Sequence, residues 1–219
     1  MIAGTGGGLR RLQGIPPVLL SLFFLQAVLA AGCGRIPRII VLEDPLTAEE
    51  HLELGVAYER NGDFDLAIRE YERALRKGGE SFRARVNLGN VRLAKKEYGK
   101  AGEEYRKALA IRPGDPEATN NLAWVAILSG EDREEAAAGM DAILSGEENR
   151  TPALLDTLGV LRTRMGESAA AKEALDEAER RCLEAGVPGC PEEVLSEIRE
   201  HRAEIPGQVP SSSPPALLK

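Results

Sequence analysis

The 219-residue chain carries 28 basic and 35 acidic residues, a formal charge of −7, and only 4% aromatic residues. That balance, without a Lys/Arg-rich tract, argues against nucleic acid as a partner and against a face that adsorbs electrostatically to anionic lipid. Residues 1–32, the first segment, contain no Asp or Glu, and Arg10 and Arg11 precede an apolar run from Val18 to Ala31. The run is short for a membrane span and has the length of a signal-peptide core, so residues 1–32 are expected to be removed.

The run ends in Leu29-Ala30-Ala31-Gly32-Cys33, which resembles the lipobox of bacterial lipoproteins. The resemblance implies cleavage before Cys33 and acyl chains such as palmitate on the mature N-terminus, with residues 33–46 as a lipid-anchored tether. Several acyl chains, each adding about 0.8 kcal/mol per buried CH2, hold a protein firmly on a membrane. It further implies a bacterial envelope location facing the periplasm. Gly34 rather than Asp after the cysteine points to the outer membrane. Without Arg10 and Arg11 the mature chain has 26 basic and 35 acidic residues, or −9.

From Thr47 the pattern is helical. Leu54, Tyr58, Leu66, Ile68, Tyr71 and Leu75 recur at helical spacing, and Gly62 falls where a tight turn separates two helices. Thr47 with Glu50 reads as a capping box that opens the first helix. Residues 52–75 are echoed by 86–109 and 155–178, with a worn copy at 120–143; Gly55, Gly89, Ala123 and Gly159 mark one position, 34, 34 and 36 residues apart. The small residues at the Gly55 and Ala67 positions are expected to let two helix backbones approach closely. Arg112-Pro113-Gly114-Asp115-Pro116 and Thr151-Pro152 each stop one pair and start the next, because proline suits a first turn but cannot continue a helix. Units that cannot bury their own apolar faces must stack into a solenoid. Residues 190–205 follow as an amphipathic cap, and residues 206–219 are a Pro/Ser-rich tail expected to be disordered.

These copies resemble the tetratricopeptide family over roughly 48–185. The family pattern appears as Leu54, Gly55, Tyr58, Ala67, Tyr71 and Ala74 in the first copy. In the second it is Leu88, Gly89, Ala101, Tyr105, Ala108 and Pro113, with Arg92 where the family has Tyr. The fourth copy keeps Leu158, Gly159, Ala171, Leu175 and Ala178, with Arg162 at that Tyr position. The third keeps Leu122 and Ala123 and needs an insertion near Asp132. The expected fold is therefore all-α, a right-handed solenoid of about four helix pairs over 47–205. Its repeats are expected at 48–81, 82–115, 116–151 (degenerate) and 152–185, followed by the cap.

The resemblance also implies a concave wall made by the first helix of each pair. Its places hold Arg83, Val86, Asn87 and Asn90 in the second copy, Asn120, Asn121 and Trp124 in the third, and Asp156, Val160, Thr163 and Arg164 in the fourth. Asn is an indifferent helix former, and its amide offers both a donor and an acceptor to a peptide backbone. Asn87 and Asn121 share one place, resembling the asparagine ladder of superhelical members. Leu52 and Val56 stand where carboxylate-clamping members have charged and amide groups, so an internal extended segment is the expected ligand. Trp124, the only tryptophan, is the expected apolar anchor.

Chemistry is sparse. His51 and His201 lie far apart at helical positions, and both are expected on the surface or as caps, without a metal. No phosphate-binding loop and no calcium loop is apparent, so no cofactor, no small-molecule substrate and no catalysis is expected. Cys182 and Cys190, in an exported domain, either close a loop or remain two thiols; an oxidising compartment favours the disulfide. The reading is a non-enzymatic scaffold for a protein or extended peptide in envelope assembly, among pilus/secretin, outer-membrane protein or murein machinery. The alternatives are an accessory subunit of an envelope enzyme or carbohydrate-processing complex, and a structural spacer without a specific ligand.

Overall fold

The computed structural model describes residues 44–206. The expected signal segment, Cys33 with its lipid, most of the tether, and residues 207–219 lie outside the described residues. Among the described residues there are nine α-helices and no strand: α1 Ala48–Arg60, α2 Phe64–Gly78, α3 Phe82–Ala94, α4 Tyr98–Ile111, α5 Pro116–Ser129, α6 Arg133–Leu144, α7 Pro152–Met165, α8 Ser168–Gly189 and α9 Glu192–Ala203. No described helix is long and apolar enough to cross a membrane.

Local chemistry sets the boundaries. The Thr47 hydroxyl accepts from the Glu50 amide while the Glu50 carboxylate accepts from Thr47 N–H, closing the capping box. Asp115 and Thr151 cap α5 and α7 in the same way, each followed by proline in the first turn. The turns inside pairs one, three and four pass through Gly62, Gly130 and Gly166 at positive φ. In the second pair that role falls to Lys96, at φ 60°. Helix α6 ends because Asn149 Nδ2 and Arg150 Nη1 take the carbonyls of Ile143 and Leu144, each at 3.0 Å. The last carbonyls of a helix lack an intrahelical amide, and that of Ile143 also accepts from Gly146 N–H at 3.3 Å.

Helices α1/α2, α3/α4, α5/α6 and α7/α8 form the four pairs, and α9 packs on α8 and α7. Successive first helices touch: α1 meets α3, α3 meets α5, and α5 meets α7 most extensively. Successive second helices meet less than that or not at all, so the stack curves with its first helices inside. Its core is three clusters rather than one. Tyr71, Leu52 and Leu88 centre the first, and Tyr105, Val86 and Leu122 the second. The third runs from Ala123 through Met140, Leu161 and Leu175 to Ile198 and Ile205.

The repeated glycine has a more specific reason than backbone approach. A Cβ on Gly55 would sit 2.5 Å from the Tyr71 ring, and one on Gly89 would sit 2.6 Å from the Tyr105 ring. Both rings are wholly buried, so glycine makes the socket for an aromatic on the facing helix. In the third pair Ala123 tolerates a Cβ, and the flexible Met140 shares its cluster in place of a ring.

A second register explains His51. Against the expected surface or capping place, His51 is fully buried, with Nδ1 2.7 Å from Glu70 Oε2. One repeat later Arg85 meets buried Glu104 at 2.6 Å. The third pair replaces this ionic contact with Thr119 against Gly139, and the fourth carries Leu155 and Ala174 there, both buried. At this register the first two pairs are thus pinned by a buried carboxylate and a nitrogen-bearing partner, the last two by packing.

Candidate interaction face

The inner wall is built on α1, α3, α5 and α7. At its centre Asn90 Oδ1 accepts from the Tyr105 hydroxyl at 2.7 Å and from Asn121 Nδ2 at 3.0 Å. Asn87 lies within reach of the Tyr71 hydroxyl, which donates to Glu59 Oε2 at 2.5 Å. Burial first, then Glu59, pushes the Tyr71 phenol up; burial does the same to Tyr105. Both hydroxyls therefore stay protonated and serve as fixed donors beneath the amides. The pattern was visible in part: the tyrosines read as core aromatics, and their hydroxyls matter because the Gly sockets carry each ring through to the inner side.

The remaining expected site residues separate into three groups. Arg83 spans from α3 to α1, donating to Glu49 at 3.0 Å and Glu53 at 2.8 Å. Asn120 turns inward, its Oδ1 buried and without a partner, while half-buried Trp124 packs against the C-terminal core cluster. One turn on, Leu128 is 51% exposed; residue spacing from Trp124 was the signal for it. Asp156 and Arg164 belong to the cap. Both Asp156 oxygens face His201 Nδ1, at 2.8 and 3.0 Å, and Arg164 reaches Glu204 at 3.5 Å. Burial raises the Asp156 carboxyl above its usual range despite His201. The structure thus brings Asn87, Asn90, Asn121 and Trp124 to one wall and uses Asp156 and Arg164 to seat α9.

Arg92 and Arg162, the two departures from the family's Tyr, hold neighbouring pairs together. Arg92 bridges Glu72 of α2 at 3.2 Å and Glu104 of α4 at 3.0 Å. Arg162 joins Asp141 of α6 and Glu167. At the C-terminal end Cys182 of α8 is bonded to Cys190, with Cα atoms 5.1 Å apart, and both are buried. Among the described residues no group of three His, Cys, Asp or Glu side chains could hold a metal ion.

No curated protein matches the chain. Residues 52–116 match a family model described as tetratricopeptide repeat. Among solved structures, the MamA protein is 18% identical, with 72% of this chain and 91% of that one covered at a TM-score of 0.56. PilW, described as a widely conserved type IV pilus biogenesis factor, is 21% identical, with 70% and 77% covered at 0.54. YrrB, described as a tetratricopeptide protein with an unusual peptide-binding site, is 15% identical, with 74% and 88% covered at 0.54. Residues 52–116 are therefore similar to tetratricopeptide repeats, and the helices share the solenoid fold of these proteins.

Proposed function

We propose that this protein is a non-enzymatic scaffold, held by lipid on Cys33 to the periplasmic side of a bacterial envelope membrane, that grips an extended protein segment on its inner wall. The observation that carries the binding part is the row of half-buried amides, Asn87, Asn90 and Asn121, beside Trp124 on successive first helices. Each amide keeps unused hydrogen-bonding groups after its internal bonds, which suits the backbone of a strand-like ligand. Tyr71 and Tyr105 fix the amides in place, so little side-chain entropy remains to be lost on binding. That YrrB is described with a peptide-binding site on the same fold agrees with this use.

The envelope part is supported by Leu29 to Cys33 and by the Cys182–Cys190 bond, which persists in an oxidising compartment. The test is chemical cross-linking in intact cells, solubilisation of the membrane fraction and identification of the captured proteins by mass spectrometry. Wild type is expected in the membrane fraction with a reproducible partner. Asn87→Ala with Asn121→Ala should lose that partner while melting near the wild-type temperature. A soluble wild type that labels with no fatty acid would remove the anchoring part, and undiminished capture by the double variant would remove the inner wall.

A further inference from the structure

We infer that the inner wall selects an extended segment carrying cationic side chains, its apolar contact being made with Trp124 and Leu128. The inference rests on the scaffold reading above and names the chemistry of its ligand. On the inward places of the first three pairs stand four carboxylates, Glu49, Glu53, Glu59 and Glu117, against the guanidinium groups of Arg60 and Arg83.

The cations do not cancel the negative field at the centre of the wall. Arg83 is shared by Glu49 and Glu53, so that cluster keeps a net negative charge. Glu59 is held by the neutral Tyr71 hydroxyl. Glu117 is exposed and lies one helical turn before Asn121, on the same face of α5. Both Glu59 and Glu117 act electrostatically on Tyr105. The amide pair Asn90–Asn121 therefore sits between two carboxylates and beside an exposed apolar step, Leu128 at 51%. A segment alternating Lys or Arg with an apolar residue matches that arrangement, whereas an acidic segment or a free carboxylate is repelled. Charge matching of this kind sets partner choice and on-rate more than raw affinity, and it weakens with salt.

Trp124 is the only tryptophan and reports occupancy directly. Mature full-length protein in a non-ionic detergent would be titrated with two blocked synthetic peptides, one alternating Lys with Leu and Ala, the other carrying Glu at each Lys position. The Lys peptide is expected to shift Trp124 emission at a concentration about ten-fold below the Glu peptide in low salt, with the preference shrinking several-fold at high salt. Glu59→Gln with Glu117→Gln keeps the acceptor for Tyr71 and should erase most of that preference. A Glu peptide binding as tightly as the Lys peptide would overturn the inference and leave the scaffold reading standing. If neither peptide disturbs Trp124 up to millimolar concentration, the inner-wall reading falls with it.

Discussion

At the scale of single residues, the sockets for Tyr71 and Tyr105 decide which glycines are fixed. Gly89→Ala puts a Cβ 2.6 Å from a buried ring that cannot withdraw, because its hydroxyl is tied to Asn90. Overpacking of this kind costs about 1–3 kcal/mol, and the better helix propensity of Ala returns about 1. Net destabilisation of up to about 2 kcal/mol is expected in urea unfolding. Gly99 in α4, with nothing within 4 Å, is the control; Gly99→Ala should stabilise by up to about 1 kcal/mol. Lys96 gives the opposite case, a long side chain at φ 60° where the other pairs place glycine. A left-handed non-glycine residue costs roughly 1–2 kcal/mol, and glycine returns about 0.5–1 of that as unfolded-state entropy. Lys96→Gly is therefore expected to raise stability by about 0.5–1 kcal/mol in the same assay.

Individual residues also show where the sequence was opaque. The 34-residue spacing announced the pairs because it needs only periodicity. His51 misled, because its partner Glu70 lies 19 positions away and meets it only once α1 and α2 stack. Arg92 and Arg162 looked like worn tyrosines, yet their carboxylate partners sit on neighbouring elements. Asp156 and Arg164 were legible as wall positions, but the cap that engages them is remote in sequence.

At the scale of elements, two fastenings act on the C-terminal half. The Cys182–Cys190 bond ties the body of α8 to the residue that caps its end, just before α9 begins. Closing a loop this short contributes about 2–3 kcal/mol on the chain-entropy model. Cys182→Ser with Cys190→Ser should lower stability by about that much and raise hydrogen exchange first in α9; unchanged exchange there would show that the cap holds without the bond. The second fastening is ionic. Arg150 bonds to Glu177 and holds its carboxyl down to about 2. In the other half burial pushes Glu104 up, but Arg85 and Lys107 outweigh it and leave it below its usual range. Carboxyls lowered by folding stabilise fully above the unfolded value of about 4.3, and that contribution is lost as pH falls through the folded one. The melting temperature should therefore be level from about pH 7 to 5 and fall between about pH 4 and 2. Glu177→Gln should flatten part of that fall, and an unaltered acid slope would exclude Arg150–Glu177 as a contributor.

At the scale of the molecule, the buried contacts of Glu70 and Glu104 in the first half give way at the same register to Thr119, Leu155 and Ala174 in the second, with the amide row at the seam between them. Helices α5 and α7 pack more closely than the earlier first helices, where the degenerate third pair shortens its second helix to 12 residues. Trp124 and Leu128 lie beside that seam, so the worn repeat is where the wall changes from amide to apolar. Placement of a photoreactive amino acid in the living cell tests the use of this wall most directly, with Asn87 and Asn121 as inward positions and exposed Arg69 and Glu173 as outward ones. A cross-linked partner is expected from the two inward positions and none from the outward pair. A partner captured only from Arg69 or Glu173, with Asn87 and Asn121 silent, would contradict that expectation.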